Sequence, residues 1–202
     1  MSQTNCDRGT PSLSATSSID FLTLVSQLKV TKRTGWVRAG VTGPESIADH
    51  MYRMGLMALI SSPPGVDRDR CVKLAIVHDL AEAIVGDITP SDNVSKTEKA
   101  KREADAMAQI RALLGSETAV GQEVEHLFQE YEDGATPEAQ LVKDFDKLEM
   151  ILQAHEYETT QNIRLQDFFD STRGKFQTDI GKAWAAEICQ RRQQHLANQQ
   201  HS

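Results

Sequence analysis

Four ionisable side chains interrupt the apolar stretch LAIVHDLAEAIVGD at residues 74–87. Leu74 to Val77 lead directly into His78 and Asp79, and Glu82 and Asp87 follow. Burying charge is costly unless the charge is paired or bound to a metal. Glu82 stands three residues after Asp79 and four after His78, so on a helix it shares a face with both. Adjacent helical positions diverge by about 100°. His78 and Asp79 therefore serve one ion only if it lies between their directions. An imidazole with carboxylates is a donor set for Mn, Fe, Co or Zn. Taken alone, the His-Asp pair reads more often as a solvated helix end; Glu82 and the apolar lead-in bring the two readings level.

Two further stretches carry the same residue types. In ESIADHMYRMGLMAL (45–59), His50 sits among Ile47, Met51, Met54 and Leu56. A lone histidine there is more often a satisfied core residue than a ligand. In LVKDFDKLEMILQAHEYE (141–158), Asp144 and Asp146 interrupt an apolar face of Leu141, Val142, Phe145, Leu148, Ile151 and Leu152. Asp146, flanked by Phe145 and Leu148, is the candidate buried carboxylate, whereas Asp144 reads as solvated. His126, His155, His195 and His201 have no partner at comparable spacing. The stretch SKTEKAKREAD (95–105) reads as a solvated helix face.

The order H…HD…D, with 28 positions from His50 to His78 and 67 from Asp79 to Asp146, resembles the HD-domain metal phosphohydrolases. The segments KRTGWVRAGV, ESIADHMYRM, LAIVHDLAEAIVGDITP and KDFDKLEMILQAHEYE extend that resemblance over about residues 18–197. They are similar to the HD domain-containing protein 2 group and, through it, to bacterial 5′-deoxynucleotidases. The resemblance implies an all-α HD-domain helical bundle and a homodimer. It also implies hydrolysis of deoxyribonucleoside 5′-monophosphates to deoxynucleoside and phosphate.

By the same resemblance, His50, His78, Asp79 and Asp146 would bind one divalent metal (Mn, Co, Fe or Zn), and Glu82 and Asp87 would be the catalytic carboxylates. Glu82, Asp87 and the carbonyl of Ile88 would hold a possible second cation such as Mg. Arg33 and Trp36 would contact substrate, although Thr34 and Gly35 separate two residues that adjoin in the bacterial proteins. The alternatives are an HD phosphohydrolase acting on a cyclic nucleotide, an alarmone or a triphosphate, and a nucleotide-binding HD module without turnover.

Helices must position these groups. Ile19, Leu22 and Val25 share a helical face, with Ser18 as the expected N-cap. TKRTGWVRAGVTG (31–43) reads as a loop, and Pro44 as the first residue of a helix to about Ile60. SSPPG (61–65) breaks the chain. Asp67 caps a helix expected to run unbroken to Val85, with Gly86 as its stop. Ser95 and Glu98 have capping-box spacing and open a helix to Leu114. Further helices are expected over about 118–131, from Pro137 to Thr160, and over 179–197. No run alternates with period two. The expectation is seven or so helices in one domain, 18–197, with a disordered tail at 1–17 and a frayed end at 198–202.

Composition limits the function classes. The 202 residues include 39% hydrophobic and 25% charged residues, an ordinary globular balance. A net charge of −7 argues against general binding to nucleic acid polymers. Within that acidic chain, Lys29, Lys32, Arg33 and Arg38 cluster in one stretch suited to a phosphate. Three dispersed cysteines without a CxxC pair indicate a reducing compartment. No apolar stretch reaches the ~18 residues of a membrane span. The expected location is cytoplasmic, with organelle targeting by the N-terminal segment left open.

Overall fold

The computed structural model describes residues 12–61 and 63–199. Expectations for residues 1–11 and 200–202 lie outside that range. The order is α1 (Ala15–Val25), α2 (Gln27–Val30), α3 (Thr34–Arg38), α4 (Ile47–Ile60), α5 (Arg68–Val77) and α6 (Glu82–Val85). A 3-10 turn at Pro90–Asp92 leads to α7 (Lys96–Leu114), α8 (Ala119–Asp133), α9 (Pro137–Gln161), α10 (Gln166–Thr172) and α11 (Asp179–Gln199). Among the described residues the fold is all-α, with one isolated bridge between Lys32 and Ser46. No described helix is long and apolar enough to cross a membrane.

Helix α9 runs through the centre. Leu141, Val142, Phe145, Leu148 and Ile151 are buried along it, but so are Asp144, Glu149 and Glu158. Burial around so much of its circumference requires neighbours on several sides. Helices α4, α5, α8, α10 and α11 supply them, and α4 packs most extensively on α5. Met51, Met54, Cys71, Leu74, Phe145 and Leu148 belong to the resulting core. Removing a side chain such as Phe145 from it costs about 3–5 kcal/mol.

Local chemistry moves several boundaries. Helix α1 starts at Ala15, four residues into which the expected cap Ser18 falls, because Ser14 Oγ accepts from the Ser17 N–H at 3.0 Å. Helix α4 starts at Ile47 rather than Pro44, where Ser46 and Asp49 form a reciprocal capping box. The stretch expected to be a loop before it contains α2 and α3. Residues 31–33 also pair with 45–47: the Arg33 N–H donates to the Glu45 carbonyl and the Ile47 N–H to the Thr31 carbonyl, both at 3.1 Å. That pairing holds Arg33 beside the start of α4.

The expected helix 68–85 is broken in two, and the break is the His-Asp pair. Helix α5 ends at Val77 with His78 as its C-cap. The N–H groups of Leu80, Glu82, Ala83 and Ile84 then donate to carbonyls three residues back. This tighter 3-10 winding eclipses residues three apart. It therefore sets Glu82 over Asp79. Gly86 ends α6 at φ 75°, a left-handed backbone that favours glycine, and turns the chain so that Asp87 meets α3.

Candidate active site

Helices α4, the α5–α6 break and α9 bring His50, His78, Asp79 and Asp146 together. The His78 Nε2 lies 3.2 Å from Asp79 Oδ2, and the His50 Nε2 lies 3.3 Å from Asp146 Oδ1 and 3.9 Å from Asp79 Oδ2. The two imidazole centroids are 5.6 Å apart. Donor atoms of His50, His78 and Asp146 fall within 4.8 Å of one another, which satisfies the proximity a shared ion needs. Asp146 also accepts from the Tyr131 hydroxyl at 3.2 Å, and the Tyr131 ring lies 4.9 Å from that of His78.

Each imidazole is oriented through its Nδ1 atom. His50 Nδ1 is 2.6 Å from Glu149 Oε2, and His78 Nδ1 is 3.0 Å from the Ala75 carbonyl. With Nδ1–H donated in each case, Nε2 is the nitrogen left for a metal. Both Nε2 atoms are buried without a hydrogen-bond partner, as is Oε2 of Glu82. Buried polar atoms are rarely left unpaired. Their convergence with carboxylates fits a divalent metal ion.

The electrostatics point the same way. Burial and Arg33 work to lower the His50 pKa, but the nearby carboxylates of Asp146 and Glu149 outweigh them and raise it to about 9. Burial opposes ionisation of Asp79 and Asp146, yet the neighbouring histidines and Arg33 hold both below the usual carboxylate range. Burial first, then Asp79 and Asp87, pushes Glu82 up to about 10. So many carboxylates in one place call for positive charge. Arg33 supplies one unit, with NH1 3.4 Å from Asp79 and NH2 3.9 Å from Asp146.

Asp87 is fixed by α3. The Thr34 N–H donates to its Oδ2 at 2.5 Å, the Thr34 hydroxyl donates to its carbonyl at 2.8 Å, and Arg33 NH1 lies 3.9 Å from Oδ1. Ile88 follows in the half-buried loop after α6. Arg38 is occupied at the other end of α3, donating to Thr89 and Asp92, so of the expected basic cluster Arg33 is the member that enters the site.

Three residues differ from the sequence reading. Trp36, expected to contact substrate, is 2% exposed, stacks on Phe168 at 4.3 Å and donates Nε1–H to Glu45 at 2.8 Å. Its ring is core, and its polar edge holds a carboxylate behind His50. Asp144, expected to be solvated, is fully buried, whereas the Asp146 side chain keeps 36% of its exposure. Asp144 accepts from the N–H groups of Gln177 and Thr178 and from the Thr178 hydroxyl ahead of α11. Gly181 makes room for it, since a Cβ there would stand 2.3 Å from Asp144 Oδ2.

Tyr131, Glu149, Arg53 and Lys99 escaped the sequence reading. Glu149 and Arg53 lie three residues after Asp146 and His50, a helical spacing that could have revealed them. Lys99, in the stretch read as a solvated face, pairs with Glu103 at 3.4 Å, and α7 packs on α6. Its charge interacts with Glu82 and Asp79.

The HD domain profile matches residues 25–187. The chain belongs to the HD domain family. Among HD-domain relatives it is 50% identical over 181 residues to "5′-deoxynucleotidase HDDC2" of Danio rerio, covering 89% of this chain and 90% of that one. It is 52% identical over 164 residues to the protein of the same name in Homo sapiens, covering 80% and 79%. It is 45% identical over 185 residues to "5′-deoxynucleotidase hdd1" of Schizosaccharomyces pombe, covering 90% and 93%. The crystal structure of the PH0347 protein from Pyrococcus horikoshii superposes on it with a TM-score of 0.71 at 34% identity, covering 88% of this chain and 99% of that one.

Proposed function

We propose that this HD protein is a metal-dependent 5′-deoxynucleotidase that hydrolyses deoxyribonucleoside 5′-monophosphates to deoxynucleoside and phosphate. The observation that carries it is the pair of buried, unpartnered Nε2 atoms converging on Asp79 and Asp146. It is joined by the printed activity of relatives that match most of the chain.

His50, His78, Asp79 and Asp146 hold the divalent metal. When bound, such an ion polarises the phosphoryl oxygens and lowers the pKa of a coordinated water. The rest falls to the protein. Arg33, 17% exposed and already aimed at the cluster, binds phosphoryl oxygens, for which a guanidinium is well shaped. Lys99 offers a second cation from α7. Water attacks phosphorus, the bond from phosphorus to O5′ breaks, and the proton lost by water is matched by one gained at O5′.

Glu82, whose Oε2 is buried and unpaired, handles the proton of the attacking water. Burial and the Asp79 and Asp87 charges raise Glu82, and a cation held beside them would oppose that shift and suit Glu82 to exchange a proton. Asp87 is oriented as an acceptor by Thr34 and lies near Arg33, which supports its role with Glu82 and the Ile88 carbonyl in holding a second cation, Mg, over its role as proton donor. The exposed stripe Tyr52, Leu56, Leu59 and Ile60 on α4 supports the expected homodimer.

The test is hydrolysis, read by chromatography of all products, of a panel of deoxynucleoside and nucleoside monophosphates, cyclic nucleotides and triphosphates. Metal-stripped protein receives Mn, Co, Fe, Zn or Mg one at a time. Metal-dependent hydrolysis confined to the deoxynucleoside monophosphates is expected. Hydrolysis of cyclic nucleotides or triphosphates alone, to whatever phosphorylated product, would replace the substrate assignment.

A further inference from the structure

Behind the ligand cluster lies a second layer of charge that the catalytic steps do not use. Glu149 is fully buried on α9, and its two oxygens do different things. Oε2 meets His50 Nδ1 at 2.6 Å, while Oε1 accepts from Arg53 Nε at 2.8 Å and from Arg53 NH2 at 2.6 Å. Arg53 is held in turn, donating through NH1 to both oxygens of Glu156 and through NH2 to Gln153. His50 and Arg53 are three residues apart on α4, and Glu149, Gln153 and Glu156 recur along one face of α9. The layer therefore pins α4 to α9 at the height of the site.

A third carboxylate closes it. Glu45 shares a cluster with His50 and Glu149 whose donor atoms lie within 4.8 Å of one another. Glu45 is held from the far side: Trp36 Nε1–H donates to its Oε1, and its own N–H donates to the Tyr157 hydroxyl, both at 2.8 Å. The two imidazoles are thus treated unequally. His78 Nδ1 meets a neutral backbone carbonyl, but His50 Nδ1 meets a buried carboxylate that a guanidinium keeps in place.

We infer that Glu149, anchored by Arg53, is a positioning residue that makes His50 the stronger of the two imidazole donors to the metal. It acts through geometry and charge together. The bond to Glu149 fixes which nitrogen of His50 carries hydrogen, aims Nε2 at Asp146 and Asp79, and increases electron density on the ring. Removing such a partner typically weakens metal affinity by about 10–100-fold. This inference rests on His50 being a ligand, as proposed above.

The experiment compares wild type, Glu149→Gln, Arg53→Met and His50→Ala, all stripped of metal. Affinity for Co(II) is measured by competition with a chromogenic chelator, and the visible spectrum of the Co(II)-loaded protein is recorded. Circular dichroism of the metal-free proteins checks the fold. Glu149→Gln is expected to bind Co(II) about 10–100-fold more weakly and to shift its d–d bands. Arg53→Met, which leaves Glu149 in place but unanchored, is expected to move both readouts in the same direction by less. A change in folding alone would leave the spectrum of the loaded site unmoved. Wild-type affinity and spectrum in folded Glu149→Gln would overturn the inference, and should that variant not fold, the same result in Arg53→Met would do so. Retention of metal by His50→Ala would instead overturn the ligand assignment beneath it.

Discussion

Asp144 and Asp146 stand two residues apart on α9, and the structure gives them opposite duties. Replacing each by Asn separates those duties. Asp144 accepts from the Gln177 N–H at 2.9 Å, the Thr178 N–H at 2.8 Å and the Thr178 hydroxyl at 2.8 Å, with Lys147 Nζ at 3.3 Å. A hydrogen bond to a charged group contributes about 1.5–3 kcal/mol. Bonds sharing one carboxylate do not add. Asn keeps one acceptor oxygen but turns an NH2 group toward backbone N–H donors. The net loss is therefore about 3 kcal/mol, and in a domain of this size that lowers Tm by about 6–12 °C. Thermal unfolding of the metal-free proteins by circular dichroism measures this, and atomic emission of the loaded proteins measures metal. Asp144→Asn is expected to lose stability and bind a full complement of metal. Asp146→Asn, whose side chain is partly exposed, is expected to hold its Tm more nearly and lose metal. An unchanged Tm in Asp144→Asn, or metal lost there and kept in Asp146→Asn, would refute the reasoning.

Glu82→Gln is expected to retain metal and substrate affinity while kcat falls about 10²–10⁴-fold, the usual contribution of proton transfer; stopped assays at saturating substrate would show otherwise if full turnover remained. Lys99→Met is expected to weaken inhibition by inorganic phosphate and raise KM about tenfold, the effect of roughly 1.4 kcal/mol, with metal content unchanged. An unaltered phosphate inhibition constant would return Lys99 to the solvated face. His50 is raised to about 9, so in the metal-free fold its proton stabilises fully below the unfolded value near 6.5 and that contribution is lost as pH rises through 9. A metal at Nε2 must displace that proton. Titration calorimetry at pH 7 in buffers of different ionisation enthalpy should therefore show protons released on metal binding and weaker binding as pH falls. Binding without proton release would contradict that account.

The candidate ligands were legible in the sequence through their order, which resembles that of the HD-domain phosphohydrolases, while local pattern alone left each open. His50 and Asp146 interrupt apolar helical faces, and His78 and Asp79 end one. The starts of α5, α7 and α9 were legible from local pattern, since Asp67, Ser95 and Pro137 act within one turn of chain. What escaped depends on partners far along the chain. The bonds from α3 to Asp87 span 53 positions and that from Glu149 to His50 spans 99. Asp144 is buried because α11 begins against it, and Trp36 is core because Phe168 covers it. No local periodicity encodes those encounters. Composition and spacing determined which residues could do metal chemistry; only packing decided which carboxylate faces the cluster, which imidazole nitrogen is free, and where α5 breaks, at His78 and Asp79. Those outcomes turn on desolvation and on hydrogen bonds between distant segments, which exist only once the helices are assembled.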